Sequence, residues 1–193
     1  METKRKLNIT SLLLMFLVVT LATSCNKDDG EKVSAEQIRQ ALFDMKGSSH
    51  GTIKASFYQG AEIVEIDNVK AISRDSLTFV MPLEPIARTI SDEKVATILR
   101  TIEKVEVKAG YHFYQIDDNG YSVFFTLTPK RIIIPASDDV PDIIIAFADS
   151  YGGSFQKNFN YIIFNISPKE ILVGGVKPAS FKQLVYHFDG KYE

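Results

Sequence analysis

At Thr52 the apolar residues of this chain begin to recur at every second position, and no other feature restricts its fold as much. Ile53, Ala55 and Phe57 alternate with Lys54 and Ser56, the period at which successive side chains point to opposite faces of a strand. Gly60 interrupts the run. Further strands are expected over residues 63–69 and 77–81, separated by the turn-like Ser73-Arg74-Asp75-Ser76. Val105 and Val107 alternate with charged neighbours, and the apolar runs 111–116 and 121–128 flank Asp117-Asp118-Asn119-Gly120. An Asn-Gly pair between two such runs predicts a hairpin. The triplets Ile132-Ile133-Ile134 and Ile143-Ile144-Ile145 are continuous apolar runs, the pattern of buried strands, and the loop between them carries two prolines and the acids Asp138, Asp139 and Asp142. Runs 161–166, 171–173 and 181–188 complete the set, broken by Ser167-Pro168, Gly174-Gly175 and Pro178.

Two stretches carry the helical period instead. Over residues 33–47, Ser34 is placed as an N-cap with Gln37 completing a capping box, and Val33 is placed to staple onto Ile38. Ile38, Ala41, Leu42 and Met45 then share one face, and Gly47 is a natural stop. After the strand-ending Pro82, Pro85 opens a short helix through Ile90. Ser91 is expected to cap a second full helix with Asp92 and Glu93 in its first turn, Arg100 and Lys104 near its end, and Val95, Ile98, Leu99 and Ile102 on one face. The strands follow one another without crossover helices. The fold class is therefore α+β and β-rich, a largely antiparallel sheet closed as a barrel or packed as a two-layer sandwich, with two helices on it. The chain shows no internal repeat.

The N-terminus reads differently. Lys4, Arg5 and Lys6 precede an apolar run over residues 12–21, followed by the small Ala22-Thr23-Ser24 and then Cys25, the single cysteine of the chain. That is the order of a secretory signal, and the run is about half the roughly 20 residues a spanning helix needs. With one cysteine no internal disulfide can form, so the domain must hold by packing alone. Removing the first 24 of 193 residues leaves 169, enough for one domain with a real core. The leader carries net +2 of the overall −2, so the remainder sits near −4 and has no basic stripe, which argues against nucleic acid as a partner.

A lone cysteine directly after small residues resembles the lipobox of bacterial lipoproteins, in which that cysteine is acylated and becomes the first residue. Here Ala22 stands where the family prefers leucine, and Leu21 lies one position further back. Lys27, Asp28 and Asp29 then resemble the lysine-plus-acids export signal of Bacteroidota-type surface lipoproteins. The resemblance implies a signal peptide over residues 1–24, a lipidated Cys25 and flexible tether over 25–33, and one globular domain over 34–193. It also implies an outer-membrane location, lipid-anchored and exposed at the cell surface. Residues 26–33 would allow about 26 Å of reach at roughly 3.3 Å per extended residue. The domain itself resembles uncharacterised lipoprotein domains of Bacteroides-type bacteria in general texture, and that likeness brings no catalytic residue with it. Asp75-Ser76-Leu77 further resembles the short O-glycosylation motif of the same bacteria, with Ser76 as the acceptor.

The sequence carries no catalytic signature. His50, His112 and His187 are 62 and 75 residues apart, without the close spacing of a zinc site. No nucleophile elbow, P-loop, dinucleotide fingerprint or HExxH occurs, and Gly152-Gly153-Ser154 reads as a hairpin turn. Asp117-Asp118 serves the hairpin, and Asp138, Asp139 and Asp142 lack calcium-loop spacing. Tyr111, Tyr114 and Tyr121 cluster about one hairpin, either as an exposed patch or as half-buried strand residues. The expectation is a non-enzymatic envelope lipoprotein without cofactor or metal, a binding or interaction module for an envelope protein or a glycan. The alternatives are a lipocalin-like or sugar-binding carrier, and a hydrolase whose acids or histidines converge only in space.

Overall fold

Strand succeeds strand along the chain; the first five pair in succession, and the last strand returns to the first. The structure is a computed structural model and describes residues 33–57, 62–136 and 141–193. Helix α1 (Ala35–Asp44) leads into β1 (Gly47–Phe57), β2 (Glu62–Ser73) and β3 (Ser76–Pro82). Helices α2 (Glu84–Ala87) and α3 (Glu93–Ile102) follow, then β4 (Lys104–Ile116), β5 (Ser122–Pro129), β6 (Ile132–Ile134), β7 (Ile143–Phe147) and β8 (Gly152–Gln156). A 3-10 turn (Lys157–Phe159), β9 (Tyr161–Ile166), β10 (Pro168–Val173) and β11 (Leu184–Tyr192) end the chain. Eight strands form a closed barrel in the order β1-β2-β3-β4-β5-β8-β9-β11, with β11 back on β1 and every pairing antiparallel. Closure removes the free sheet edge. Of the two architectures open to the sequence, the barrel is the one formed.

Strands β6, β7 and β10 make a second, three-stranded sheet. Its order repeats that of the barrel wall: β6 follows β5, β7 precedes β8, and β10 follows β9. The small sheet thus continues the order of three barrel strands, separated from them where Lys130-Arg131 lies between β5 and β6 and Ser167 between β9 and β10. Ile143, Ile145, Phe147 and Ile171 are buried on its inner face, in the same apolar cluster as Leu83, Ile86, Ile90, Val95 and Leu99 of the α2–α3 region. Its outer face is uncovered at Ile133, which is 64% exposed. Ile143 and Ile145 are buried, Ile132, Ile134 and Ile144 are half-buried and Ile133 is exposed, so neither triplet is buried throughout as its continuity predicts.

Alternation fills the barrel. Leu77, Phe79, Val107, Phe125, Phe164, Tyr186 and Phe188 point inward and are almost wholly buried. Phe164 stacks on Phe188 with ring centroids 4.7 Å apart and meets Phe79 edge-on at 5.4 Å. Small inward residues oppose these rings: Ala55 on β1, Ala71 on β2, Ala109 on β4 and Gly190 on β11. An eight-stranded barrel is just wide enough to be packed in this way.

The helix ends follow their sequences closely. Ser34 and Gln37 make both halves of the capping box, Gln37 N to Ser34 Oγ at 3.2 Å and Ser34 N to Gln37 Oε1 at 2.8 Å. The cap of α3 is Asp92, not Ser91: Asp92 Oδ1 accepts from Lys94 N and Val95 N, while Ser91 N donates to Ser180 Oγ. Lys104 already belongs to β4. The helix stops at Glu103, whose φ of 61° turns the chain out of the helical course. The short α2 is the helix expected to open at Pro85; it ends at Ala87, three residues before the expected limit, and stands beside the two full helices among the described residues. Gly47 opens β1 rather than closing α1, and β11 starts at Leu184 and runs on to Tyr192.

Candidate functional site

Inside the barrel, hydroxyls gather where Ser73, Tyr111 and Tyr192 approach one another. Tyr111 is held by a 2.7 Å hydrogen bond between its hydroxyl and that of Ser73, and its ring stacks on Phe113 and meets Phe125 edge-on. Burial pushes the Tyr111 phenol well above its usual range, with the Ser73 hydroxyl partly offsetting this. Tyr192 lies over Phe155 with centroids 5.4 Å apart. Burial pushes its phenol up to about 12. Its hydroxyl approaches Ser73 but meets no partner at hydrogen-bond geometry among the described residues. Aromatic rings and hydroxyls pack this interior, so the accessible candidate site lies outside the wall.

That site is a cleft of about 320 Å³ between α1 and the β4–β5 hairpin. Its floor is apolar: Ala41 from α1, Ile116 from β4 and Val123 from β5. The helical period puts Glu36, Gln40 and Asp44 on the side of α1 that faces the hairpin. Across the cleft, Asp117, Asp118 and Asn119 come from the hairpin loop. The loop is tied by Asp117 N to Ser122 O (3.0 Å), Gly120 N to Asp117 O (2.9 Å) and Tyr121 N to Asp117 Oδ1 (2.6 Å), with Gly120 at φ 67°. The Asn-Gly pair does mark a hairpin, but in a loop of residues 117–121 in which only Gly120 takes the left-handed conformation.

Two of the four lining carboxylates are neutralised from outside the cleft. Arg39 pairs with Glu36, and Lys157 Nζ lies 2.8 Å from Asp44 Oδ2. Asp117 spends one oxygen on the Tyr121 amide. Asp118 is exposed and has no ion pair or hydrogen bond among the described residues. No lysine or arginine lines the cleft. The Asp44–Lys157 pair and the bond from Lys157 N to Tyr121 O (2.8 Å) bring together the chain segments that carry Phe43 and Phe159, each 73% exposed, and the more modestly exposed Tyr121. Composition alone does not single out this site, because Gln40, Asp44 and Asp118 are ordinary surface residues until the hairpin folds back onto α1. The local signals were the capped, amphipathic α1 and the Asn119-Gly120 pair of the hairpin; that the two face each other had none.

The residues singled out by sequence scatter. His50 Nδ1 is 3.0 Å from Glu193 Oε1, off hydrogen-bond geometry, and His187 Nδ1 meets Asn165 Oδ1 at 2.9 Å. His112 is exposed on β4 opposite Thr126. The three lie at separate places on the wall, and among the described residues no group of three or more His, Cys, Asp or Glu is arranged to hold a metal ion. Of the tyrosines, Tyr114 and Tyr121 are exposed and Tyr111 points inward, so the three do not form one surface patch. Gly152-Gly153-Ser154 lies within β8 and is not a turn. Ser76 opens β3 and is half-buried. Asp142 accepts from Gly174 N through its backbone carbonyl. Cys25, Lys27, Asp28, Asp29, Asp138 and Asp139 lie outside the described residues. No described helix is long and apolar enough to cross a membrane. No protein-family model, curated protein or solved structure matches the chain.

Proposed function

We propose that this chain is a lipid-anchored cell-envelope protein whose barrel is a rigid scaffold for binding at its outer surface. The signal-like run 12–21 ending at Cys25 supports the anchor, through acylation of the Cys25 thiol. Lys27, Asp28 and Asp29 support delivery to the outer membrane and the cell surface. The observation that carries the binding half is the packed interior. With Phe79, Phe164 and Phe188 stacked across the lumen, the cleft beside α1 is the favoured place for a ligand or a protein partner to meet this molecule. The closed eight-stranded topology is also compatible with a lipocalin-like carrier. In that reading the ligand displaces interior side chains, and an apolar fluorophore taken up with its emission blue-shifted would favour it.

The anchor is tested by Cys25→Ala. Wild-type protein is expected in the membrane fraction and the variant in the soluble fraction of the envelope. A variant that still sediments with membranes defeats the anchor.

A further inference from the structure

We infer that the outer face of the β6-β7-β10 sheet is a self-association surface. Its partner is a second copy of this chain, packed face to face about a two-fold axis parallel to the strands. The inference goes beyond the proposed anchor and the cleft and depends on neither. It starts from the register of the small sheet. Ile133 pairs with Ile144, and Ile144 with Leu172, so the three form one row across β6, β7 and β10. Alternation puts Ile145 and Ile171 on the opposite, inner face, where both are wholly buried. The outer row is open, with Ile133 64% exposed and Ile144 and Leu172 half-buried. Two positions along on the same face, Glu170 pairs with Ala146. Carried one residue beyond β6, the register sets Arg131, Ala146 and Glu170 in a second row. Arg131 and Glu170 stand two strand spacings apart, roughly 10 Å. Neither has an ion pair or hydrogen bond among the described residues.

Stacked sheets lie about 10 Å apart with their strands nearly aligned. A two-fold axis along the strands exchanges the positions of β6 and β10 and keeps each row in place. It lays Ile144 against Ile144 of the second copy and Ile133 against Leu172 of the second copy. It also lays each Arg131 against a Glu170 of the other copy. An axis across the strands would instead set Arg131 over Pro135 and Glu170 over Gly174. Only the first arrangement covers the apolar row and matches both unpaired charges. A lipid surface would cover the apolar row but gain nothing from Glu170. The face is small beside the roughly 800 Å² per partner of a stable complex, so the pair forms at high protein concentration.

The test is sedimentation equilibrium of the full chain carrying Cys25→Ala, which removes any lipid on that thiol. A monomer–dimer equilibrium is expected. Adding Arg131→Glu sets two carboxylates against two carboxylates across the axis, and adding Glu170→Arg sets two cations against two cations. Each reversal alone is expected to weaken the dimer about tenfold, with an unchanged thermal midpoint. A one-to-one mixture of the two variants is expected to recover the parent affinity, because both cross-axis pairs are then of opposite sign. Ile133→Asp is expected to abolish the dimer. The inference is overturned if the parent stays monomeric, if the reversals leave association unchanged, or if the mixture associates no better than its components. Association driven by the apolar run 12–21 would ignore the reversals and so count against it. Cosedimentation with phosphatidylethanolamine–phosphatidylglycerol vesicles, lost in Ile133→Asp and without self-association, would assign the face to lipid and overturn it too. Membrane fractionation of the wild type against Cys25→Ala reads the anchor independently of all these outcomes.

Discussion

Gly152 and Gly153 lie where β8 is held between β5 and β9. A Cβ on Gly153 would stand 1.9 Å from the Ile163 carbonyl oxygen, and one on Gly152 would stand 1.9 Å from that of Phe125. Both obstacles are backbone, so neither can swing aside. Gly153→Ala should therefore cost about 3 kcal/mol, the upper end for forcing volume into a packed site, read as a lowered urea midpoint. An unchanged midpoint would mean that the ladders are looser than drawn. The pair was misread as a turn because adjacent glycines usually mark one. Only the neighbouring strands reveal that close backbone approach is the reason for them. Ser34 and Gln37 were legible for the opposite reason: a capping box is complete within four residues and needs nothing from the rest of the chain.

At the scale of elements, the local signals survived and the boundaries moved. Ser91 and Asp92 are both good caps by residue type, and tertiary contact decides between them, since the Ser91 amide is taken by Ser180 Oγ at 2.8 Å. Asp92→Ala should destabilise by about 1 kcal/mol. Ser91→Ala should stay within about 0.5 kcal/mol, because the side chain of Ser91 makes neither cap bond. Thermal unfolding of the two variants separates them, and equal losses would contradict the assigned cap. The isoleucine strands were legible as strands, yet their composition could not show that one face stays open. That depends on β6, β7 and β10 leaving the barrel as a separate sheet. The same holds for the cleft, whose two walls are more than seventy residues apart in sequence and whose acids look like ordinary solvated surface.

For the whole molecule, closure and a packed lumen should appear in the alkaline limb of stability. Tyr111 and Tyr186 are held un-ionised by burial, with pKa values well above the ordinary 10.0 that an unfolded chain regains. A folded-state pKa raised in this way leaves stability intact below pH 10 and withdraws it as pH climbs toward the folded value, because the folded barrel then keeps protons that the unfolded chain has lost. Phenolate absorbance should thus rise in two phases, exposed tyrosines first and the buried ones together with loss of the β-sheet signal. All eight tyrosines ionising near pH 10 with the barrel intact would contradict the packing described. The barrel was half legible: period two dictated an antiparallel sheet, but closure depends on β11 finding β1 across the length of the domain, which no local pattern encodes. The proposed anchor is the reverse case, an expectation that rests wholly on sequence. Mass spectrometry of the protein extracted from membranes tests it most directly. The account predicts a chain beginning at Cys25, heavier than its bare polypeptide by a diacylglyceryl group and a further acyl chain. A chain still beginning at Met1, or an unmodified Cys25 thiol, would contradict it.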